Sequence, residues 1–360
     1  MNVSLHPART LPRDLVDAWI ALQRSEPTLD HPLFHPAWVE AVAAVRDDVF
    51  VAVLQEAGEP AAFLPFERRG RQGRSVAACM SDLHGLIARP QTQCDLPELL
   101  RRSGLSVWHF DHLPVEQSWF TPYHYHLEEA AAVDLSNGLE SYWGDRRAAC
   151  GSWFSQMRRK ENKLRREVGR PRFVWHTTDP TALEALTQWK RAQLQASNQL
   201  DVFSLPWFPP LLRSLCDHQL PSFAGVLSAL YAGEELVAVH AGISNERVLS
   251  SWIPAYHPAY ARYSPGALLH LEMIRAAAER GVERIELGRG VNPLKRALGS
   301  TAVQLAIGAV DLSPARRWRR ARLLHLREVV RASPLGDVSK HTYRRVRNWI
   351  ASRSANVAVK

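Results

Sequence analysis

Residues 252–290 read WIPAYHPAYARYSPGALLHLEMIRAAAERGVERIELGRG, and the fold turns on how this stretch is parsed. The apolar run that ends at Tyr256 predicts a strand. A loop follows, and a helix is expected to open at Ser264-Pro265-Gly266, since serine at the cap and proline at the first helical position both start helices well. Gly281 closes that helix, and VERIELG reads as the next strand. Gly266 and Ala267 are small, so a ligand can come close to the exposed amides, and the positive end of a helix suits a pyrophosphate. The same residues also suit a helix start that binds nothing.

Upstream lie three strands, residues 223–233, 235–244 and 247–256, joined by the short turns AGEE and SNER. They predict an antiparallel meander. Three helices are expected before them: SWFSQMRRKENKLRREVG, with basic residues on one side and Phe154, Met157, Leu164 and Val168 on the other; PTALEALTQWKRAQLQAS; and one near Phe208–Gln219. Downstream come a turn, GRGVNPLKRALG, and a last strand, VQLAIGAVDL. The first half repeats this order roughly. Helices are expected at Leu11–Arg24 and around Trp38, a hairpin at Val49–Gln55 and Pro60–Arg68, and a strand leading into a loop within SVAACMSDLHGLIAR. A helix at Leu96–Ser103, the strand LSVWHFDHL and a strand near Tyr123–Val133 complete it. The expected fold is α/β (α+β): domains 1–134 and 152–312, each a mixed, largely antiparallel sheet flanked by helices. A connector, 135–151, joins them, and a basic helical tail, 313–360, follows.

Composition sets bounds on function. The 360 residues are 46% hydrophobic and 22% charged, which is globular and long enough for two domains. The four cysteines, Cys79, Cys94, Cys150 and Cys216, form no CxxC pair, which argues against a zinc site or a disulfide scaffold and for a reducing cytoplasm. No apolar run approaches the ~18 residues of a membrane span. The tail holds 13 Lys or Arg against two acids, whereas the whole chain has 45 against 36, so the body is near neutral. The tail's seam of Trp318, Leu323, Leu326 and Val330 under arginines suits an anionic membrane, or a helix packed on its own domain. His124 and His126 share a strand face, but no third ligand is evident, and no metal is expected.

Taken in order, these motifs resemble the CelD-like acetyltransferases of the GNAT superfamily, relatives of the FemAB transferases. The resemblance rests on Tyr256-His257-Pro258, Ser264-Pro265-Gly266, Gly281 with Glu286-Leu287-Gly288, and Lys295. It extends to Phe34–Trp38, Leu64-Pro65-Phe66 and Ser81–Gly85, and so spans roughly 300 residues. It implies transfer of an acyl group, acetyl from acetyl-CoA, to an amine or, second, a hydroxyl of a sugar or cell-envelope precursor, in a cytoplasmic enzyme lying at most against the inner membrane. Arg262, Ser264, Pro265, Gly266 and Ala267 would hold the cofactor. Two departures stand out: His257 replaces the family's aspartate, and Pro265 takes a glycine's place in the phosphate loop and removes an N–H.

Direct transfer needs a base for the amine and a proton for the leaving sulfur. Glu286 and His240 are the candidate bases, although a lone histidine in an apolar strand such as AVHAGI is more often a core residue. Tyr256 and His257 are the candidate donors. Lys295 and Arg296, with Trp38, Asp82 and His84 from the first half, are expected to line the substrate cleft. Two rival readings remain. One is an aminoacyl-tRNA-dependent transferase, the donor that FemAB relatives use and the one nucleic acid expected as a partner. The other is a non-catalytic scaffold docked on membrane through its tail.

Overall fold

The computed structural model describes residues 2–290, 292–316, 318, 319 and 322. The first half runs β1 (Asn2–Pro7), α1 (Arg13–Ser25), α2 (Pro36–Val45), β2 (Val49–Glu56), β3 (Glu59–Arg69), β4 (Gln72–Arg74), β5 (Ile87–Ala88), α3 (Leu96–Arg102), β6 (Val107–Pro114) and β7 (His124–Asp134). The second runs α4 (Leu139–Glu167), β8 (Pro171–Val174), α5 (Pro180–Ala196), α6 (Phe208–Asp217), β9 (Gln219–Leu220), β10 (Phe223–Ala232), β11 (Glu235–Ser244), β12 (Val248–Tyr256), α7 (Pro265–Glu279), β13 (Arg284–Arg289), α8 (Pro293–Leu298) and β14 (Thr301–Asp311).

All fourteen strands belong to one mixed sheet, ordered β1-β2-β3-β4-β6-β14-β7-β13-β12-β11-β10-β8, with β5 beside β3 and β9 beside β10. This order reads almost the same from either end. Near each middle a parallel pair appears, β4 with β6 and β12 with β13. The halves also exchange their last strands: β14 pairs with β6, β7 pairs with β13, and the two pair with each other. The sheet is therefore continuous where two separate sheets were expected, because each half's closing strand satisfies the other half's open edge.

Helices α1, α2, α5 and α6 pack on one face of the sheet, where Trp19, Trp38, Leu186, Phe208 and Ile253 share a core. On the other face α4 and α7 cover the second half through Trp143, Leu164, Leu269 and Ile274. There α3 covers the first half through Leu99 and Leu100.

Three local expectations are corrected. Most of the expected connector is helical, because α4 starts at Leu139 and is interrupted only by non-helical Cys150 (φ −136°, ψ 33°). Tyr142 and Trp143 are buried, and the Tyr142 hydroxyl donates to the Leu298 carbonyl at 2.8 Å, so packing overrides a glycine-containing sequence. The segment expected as a strand leading into a loop is the reverse, a 3-10 turn at Ala78–Met80 and then β5. Buried Glu67 holds it by accepting the Ala77 amide at 2.8 Å. The turn after β13 contains α8, capped by Asn292, whose side chain accepts the Lys295 amide. The tail and its expected membrane contact lie almost wholly outside the described residues. Among the described residues no helix is long and apolar enough to cross a membrane.

Candidate functional site

Strands β12 and β13 pair only over Val248–Ser250 and Arg284–Glu286, then part. A bulge precedes the gap: Gly242 faces Ser251 and Ala241 faces Ile253, leaving Trp252 extra. Across β11, Pro254 stands opposite His240. A proline has no N–H for a ladder, so it is tolerated on a strand edge that faces a gap. Lys190 of α5 reaches this edge and donates to the Pro254 carbonyl at 3.1 Å. Burial lowers the Lys190 pKa.

The N-terminus of α7 opens beside the gap. Ser264 has left-handed backbone angles (φ 53°, ψ 53°) and its side chain does not cap the helix; its hydroxyl instead takes a 2.6 Å hydrogen bond from Lys160 of α4. The Ala267 and Leu268 amides both bond to the Ser264 carbonyl, and Pro265 has none, so Gly266 supplies the amide left over. A side chain at Gly266 would meet only Tyr256, at 3.5 Å. One turn on, His270 Nδ1 donates to the Gly266 carbonyl at 2.7 Å. Burial lowers the His270 pKa, and nearby Lys295 and Lys190 lower it further.

On β13 the chain beyond Glu286 faces that gap. Gly288 has φ +74°, and a Cβ there would lie 3.5 Å from Asp82 Oδ2 and 3.7 Å from Lys295 Nζ. Lys295 donates to the carbonyls of Gly288 (2.9 Å) and Arg289 (2.8 Å), which fixes the turn. Asp82 comes from the first half. Burial raises its carboxyl pKa, against the pull of His112 and Lys295.

Glu286 lies on the α1/α2 side and is 12% exposed. His31 Nε2 sits 2.9 Å from its Oε2, and Arg284 Nε sits 3.2 Å from its Oε1. Burial alone would raise the Glu286 pKa, but His31 and Arg284 outweigh burial and hold it below the usual range. His31, Arg284 and Glu286 also border a cavity of about 390 Å³ between the halves, whose apolar wall includes Leu29, Leu83, Pro90 and Trp119. A pocket of that size, with His31, Glu116, Gln117, Arg284 and Glu286 set among apolar residues, suits a small ligand.

The expected site residues are therefore divided. Glu286, Asp82, Lys295, Tyr256 and Ser264–Ala267 gather around the gap between β12 and β13. His240 does not: it is fully buried beneath α7, its ring centroid 6.4 Å from that of His270. Burial and His270 push its pKa down to about 3, so it is a neutral core histidine with both ring nitrogens unpartnered. Trp38, 1% exposed, packs edge-on against Trp252 and belongs to the core. His84 Nε2 accepts the amides of Asp111 (3.2 Å) and His112 (3.3 Å), which makes it a structural brace. His257 accepts the Ala259 amide and packs against Trp189, so it caps a turn. Arg262 pairs with Glu167 at 3.4 Å, and Arg296 lies exposed on α8.

Among the described residues one group has metal-ligand spacing, His84, Asp111 and His112. The two amides on His84 Nε2 already use the lone pair that a metal would need.

Sequence reasoning missed His31, Lys160, Lys190 and His270. A proline inside the apolar strand WIPAY was the readable sign of the gap. Nothing local marked His31, whose partner lies 255 residues away.

Residues 152–296 match the acetyltransferase (GNAT) domain family. No curated protein sequence matches the chain. Solved structures that resemble it in fold include the following three. One is FemX, at 10% identity and a TM-score of 0.58 over 89% of this chain and 99% of that one. Another is the C-terminal domain of an Agrobacterium fabrum protein described as a lysylphosphatidylglycerol synthetase, at 15% identity and a TM-score of 0.53 over 89% and 97%. The third is L-PGS from Bacillus licheniformis, at 15% identity and a TM-score of 0.52 over 87% and 97%. At these identities the likeness is one of fold. With residues 152–296 similar to a GNAT acetyltransferase domain, the chain is an enzyme of the N-acyltransferase class.

Proposed function

We propose that the enzyme moves an acetyl group from acetyl-CoA to an amine of a small sugar or cell-envelope precursor. The observation that carries this is the gap between β12 and β13, which has an open helix N-terminus on one side and a cavity between the halves on the other. The donor's pyrophosphate would lie at Gly266, with Lys160 and the Ser264 hydroxyl beside it. The acceptor would enter through the cavity, its amine directed toward Glu286 and Asp82.

The amine nitrogen attacks the thioester carbonyl, a C–N bond forms and the C–S bond breaks. The amine's proton goes to a carboxylate, and a proton is delivered to the leaving thiolate; Tyr256, against Gly266, lies at the pyrophosphate end of the donor. Of the two carboxylates Asp82 is the better base. Its proton affinity is raised by burial, whereas Glu286 is committed to His31 and Arg284. Glu286 would then orient the amine.

A second reading has its own support. Pro254 and Pro265 each remove a donor from the edges that would hold a pantetheine and a pyrophosphate, while α4 lays Lys160 and further basic residues beside the gap. An aminoacyl ester delivered on tRNA needs fewer of those donors. Calorimetric titration with acetyl-CoA separates the two. Saturable binding by the wild type, lost in Gly266→Trp, is expected, because the indole would fill the space in front of the amide. No binding by the wild type sinks the acetyl-CoA reading and leaves the aminoacyl-tRNA reading in place.

A further inference from the structure

Behind Asp82 the first half holds a chain of titratable side chains that the transfer itself does not use. On β6 and β14, Leu113 pairs with Ala306 and Phe110 with Gly308, so Asp111 and His112 together stand opposite Ile307. This is a bulge, and both of its amides converge on one acceptor, His84 Nε2, at 3.2 and 3.3 Å. A bulge re-aims side chains that a regular strand would send to opposite faces. Here Asp111 Oδ1 comes within 3.1 Å of His112 Nδ1, although the two residues are neighbours on one strand. At the other edge of the ring, His112 Nε2 lies 4.0 Å from Asp82 Oδ1. The imidazole is 6% exposed and stands between two carboxylates, of which Asp111 is 42% exposed.

The surroundings give the two ends of the ring different tasks. His84 spends Nε2 on the bulge amides; burial, opposed by Asp111 and helped by His112 and Arg289, pushes its pKa down to about 3, so it stays neutral. Burial alone would raise the Asp111 pKa, but His112, His84 and Arg289 outweigh it and bring it to about 2, so Asp111 is ionised. Arg289 of β13 reaches the Asp111 carbonyl at 3.4 Å while keeping its ion pair with Glu128 at 2.9 Å. Around Asp82 the other charged or titratable neighbours are Lys295, Glu286 and His31. An ionised carboxylate beside one ring nitrogen keeps the proton there and leaves the other nitrogen free to accept, the logic by which a carboxylate prepares a histidine for base catalysis. Nδ1 then carries the proton, and Nε2 is presented to Asp82.

We propose that His112, held in its accepting tautomer by Asp111, stores the proton that Asp82 takes from the amine. The proposal rests on the reading of Asp82 as the base of the transfer. Burial favours the protonated carboxyl, so Asp82 alone would give that proton up slowly. A small turn of the protonated carboxyl closes the 4.0 Å to Nε2, as catalytic hydrogen bonds that are long in the free enzyme tighten during reaction. The O–H bond of Asp82 breaks and an N–H bond forms at Nε2. The ring becomes an imidazolium between two carboxylates, and Asp82 is an anion again. When product leaves, the Nε2 proton passes to the water that enters, and the neutral ring keeps its Nδ1 proton. His112 and Asp111 act only through Asp82 and are positioning residues.

The test reads the ring directly, by nitrogen NMR of the histidine side chains in the full chain, with His112→Gln identifying the His112 signals. Above neutral pH the wild type is expected to show Nδ1 protonated and Nε2 bare. Asp111→Asn should move that balance toward the Nε2–H tautomer. In Asp82→Asn, formation of the imidazolium should move about one pH unit lower, because a carboxylate facing the ring is gone. Both substitutions keep the shape of the side chain they replace. An Nε2–H tautomer in the wild type, or an unchanged titration in Asp82→Asn, overturns the proposal. With acetyl-CoA and glucosamine as probes, Asp111→Asn should release thiol about tenfold more slowly at unchanged acetyl-CoA affinity, and an unchanged rate also overturns it. A wild type that leaves glucosamine untouched returns the decision to the spectra, which need no ligand. If acetyl-CoA fails to bind while Asp82 and Asp111 still govern the ring, the transfer reading falls alone. If transfer proceeds and neither residue governs the ring, the proton store falls alone.

Discussion

Helices α3 and α7 occupy equivalent places in the two halves. Each leads from the first to the second strand of its half's parallel pair, β4 to β6 and β12 to β13. Their N-termini could hardly differ more. At α3 the Asp95 carboxylate accepts the Glu98 amide at 3.0 Å, and Glu98 adds a second negative charge in the first turn. At α7 the capping side chain is turned away to Lys160, no acid lies in the first turn, and Gly266 leaves its amide clear. The first N-terminus is closed by its own anion; the second is prepared for someone else's. On the proposed reading only the second half carries a binding end, and the first half's share in the site is made by side chains, Asp82 and His31, instead of by its helix.

Asp82 is where this division is most exposed to attack. If the first half lends the base, Asp82→Asn should lower kcat about a hundredfold or more. Donor affinity should be unchanged, because Asp82 lies at Gly288 and not at Gly266. Wild-type activity should fall on the acid side as the carboxylate takes up its proton. With its pKa raised, that fall begins at a higher pH than an ordinary aspartate would give. A variant that keeps kcat and the acid limb would return the role to Glu286.

The opposite faces at the gap give the next test. Glu286 works beside a cavity, whereas His240, two strands away, is sealed beneath α7. A buried neutral histidine destabilises the fold once it must be protonated. Its contribution to stability is complete above the unfolded value of 6.5 and is lost as pH falls toward about 3. The melting temperature of His240→Leu should thus be less sensitive than the wild type's between pH 6.5 and 4, with activity kept within about threefold, as expected of a residue outside the chemistry. His84 and His35 retain their own share of the acid sensitivity, their pKa values also lowered by burial, to about 3 and about 4. A kcat loss near a hundredfold, with an unchanged melting profile, would put His240 into the reaction.

What could be read beforehand follows the same lines. The meander, α7 and β13 were legible because residues 223–288 are locally consistent: alternating strands, short turns and a well-started helix. The exchange of β7 and β14 was not, since nothing in either strand's own sequence says whose edge it will join. In the site, Gly266 and Lys295 were legible from pattern. Glu286 was legible as a polar residue alternating with Ile285 and Leu287, but not its capture by His31. His240 and Trp38 were ambiguous for one reason. A polar ring in an apolar run, or an aromatic at helical spacing, looks the same whether it faces a cleft or the core, and only the packing of α7 and of Trp252 decides.

The smallest effect tests the comparison itself. Removing the α3 cap with Asp95→Ala should cost about 1 kcal/mol, as loss of an N-cap usually does, and should be visible as a few degrees of melting temperature. It should leave acetyl-CoA affinity unchanged. Placing the same charge at the other end, Gly266→Asp, should do the reverse, with little loss of stability because an acid in the first turn suits the helix dipole, and a donor affinity lowered more than tenfold by like-charge repulsion. The two variants exchange the one feature that separates the helices. If Asp95→Ala weakened the donor as much as Gly266→Asp did, both N-termini would be sensing the same ligand, and the first half could no longer be described as the closed copy.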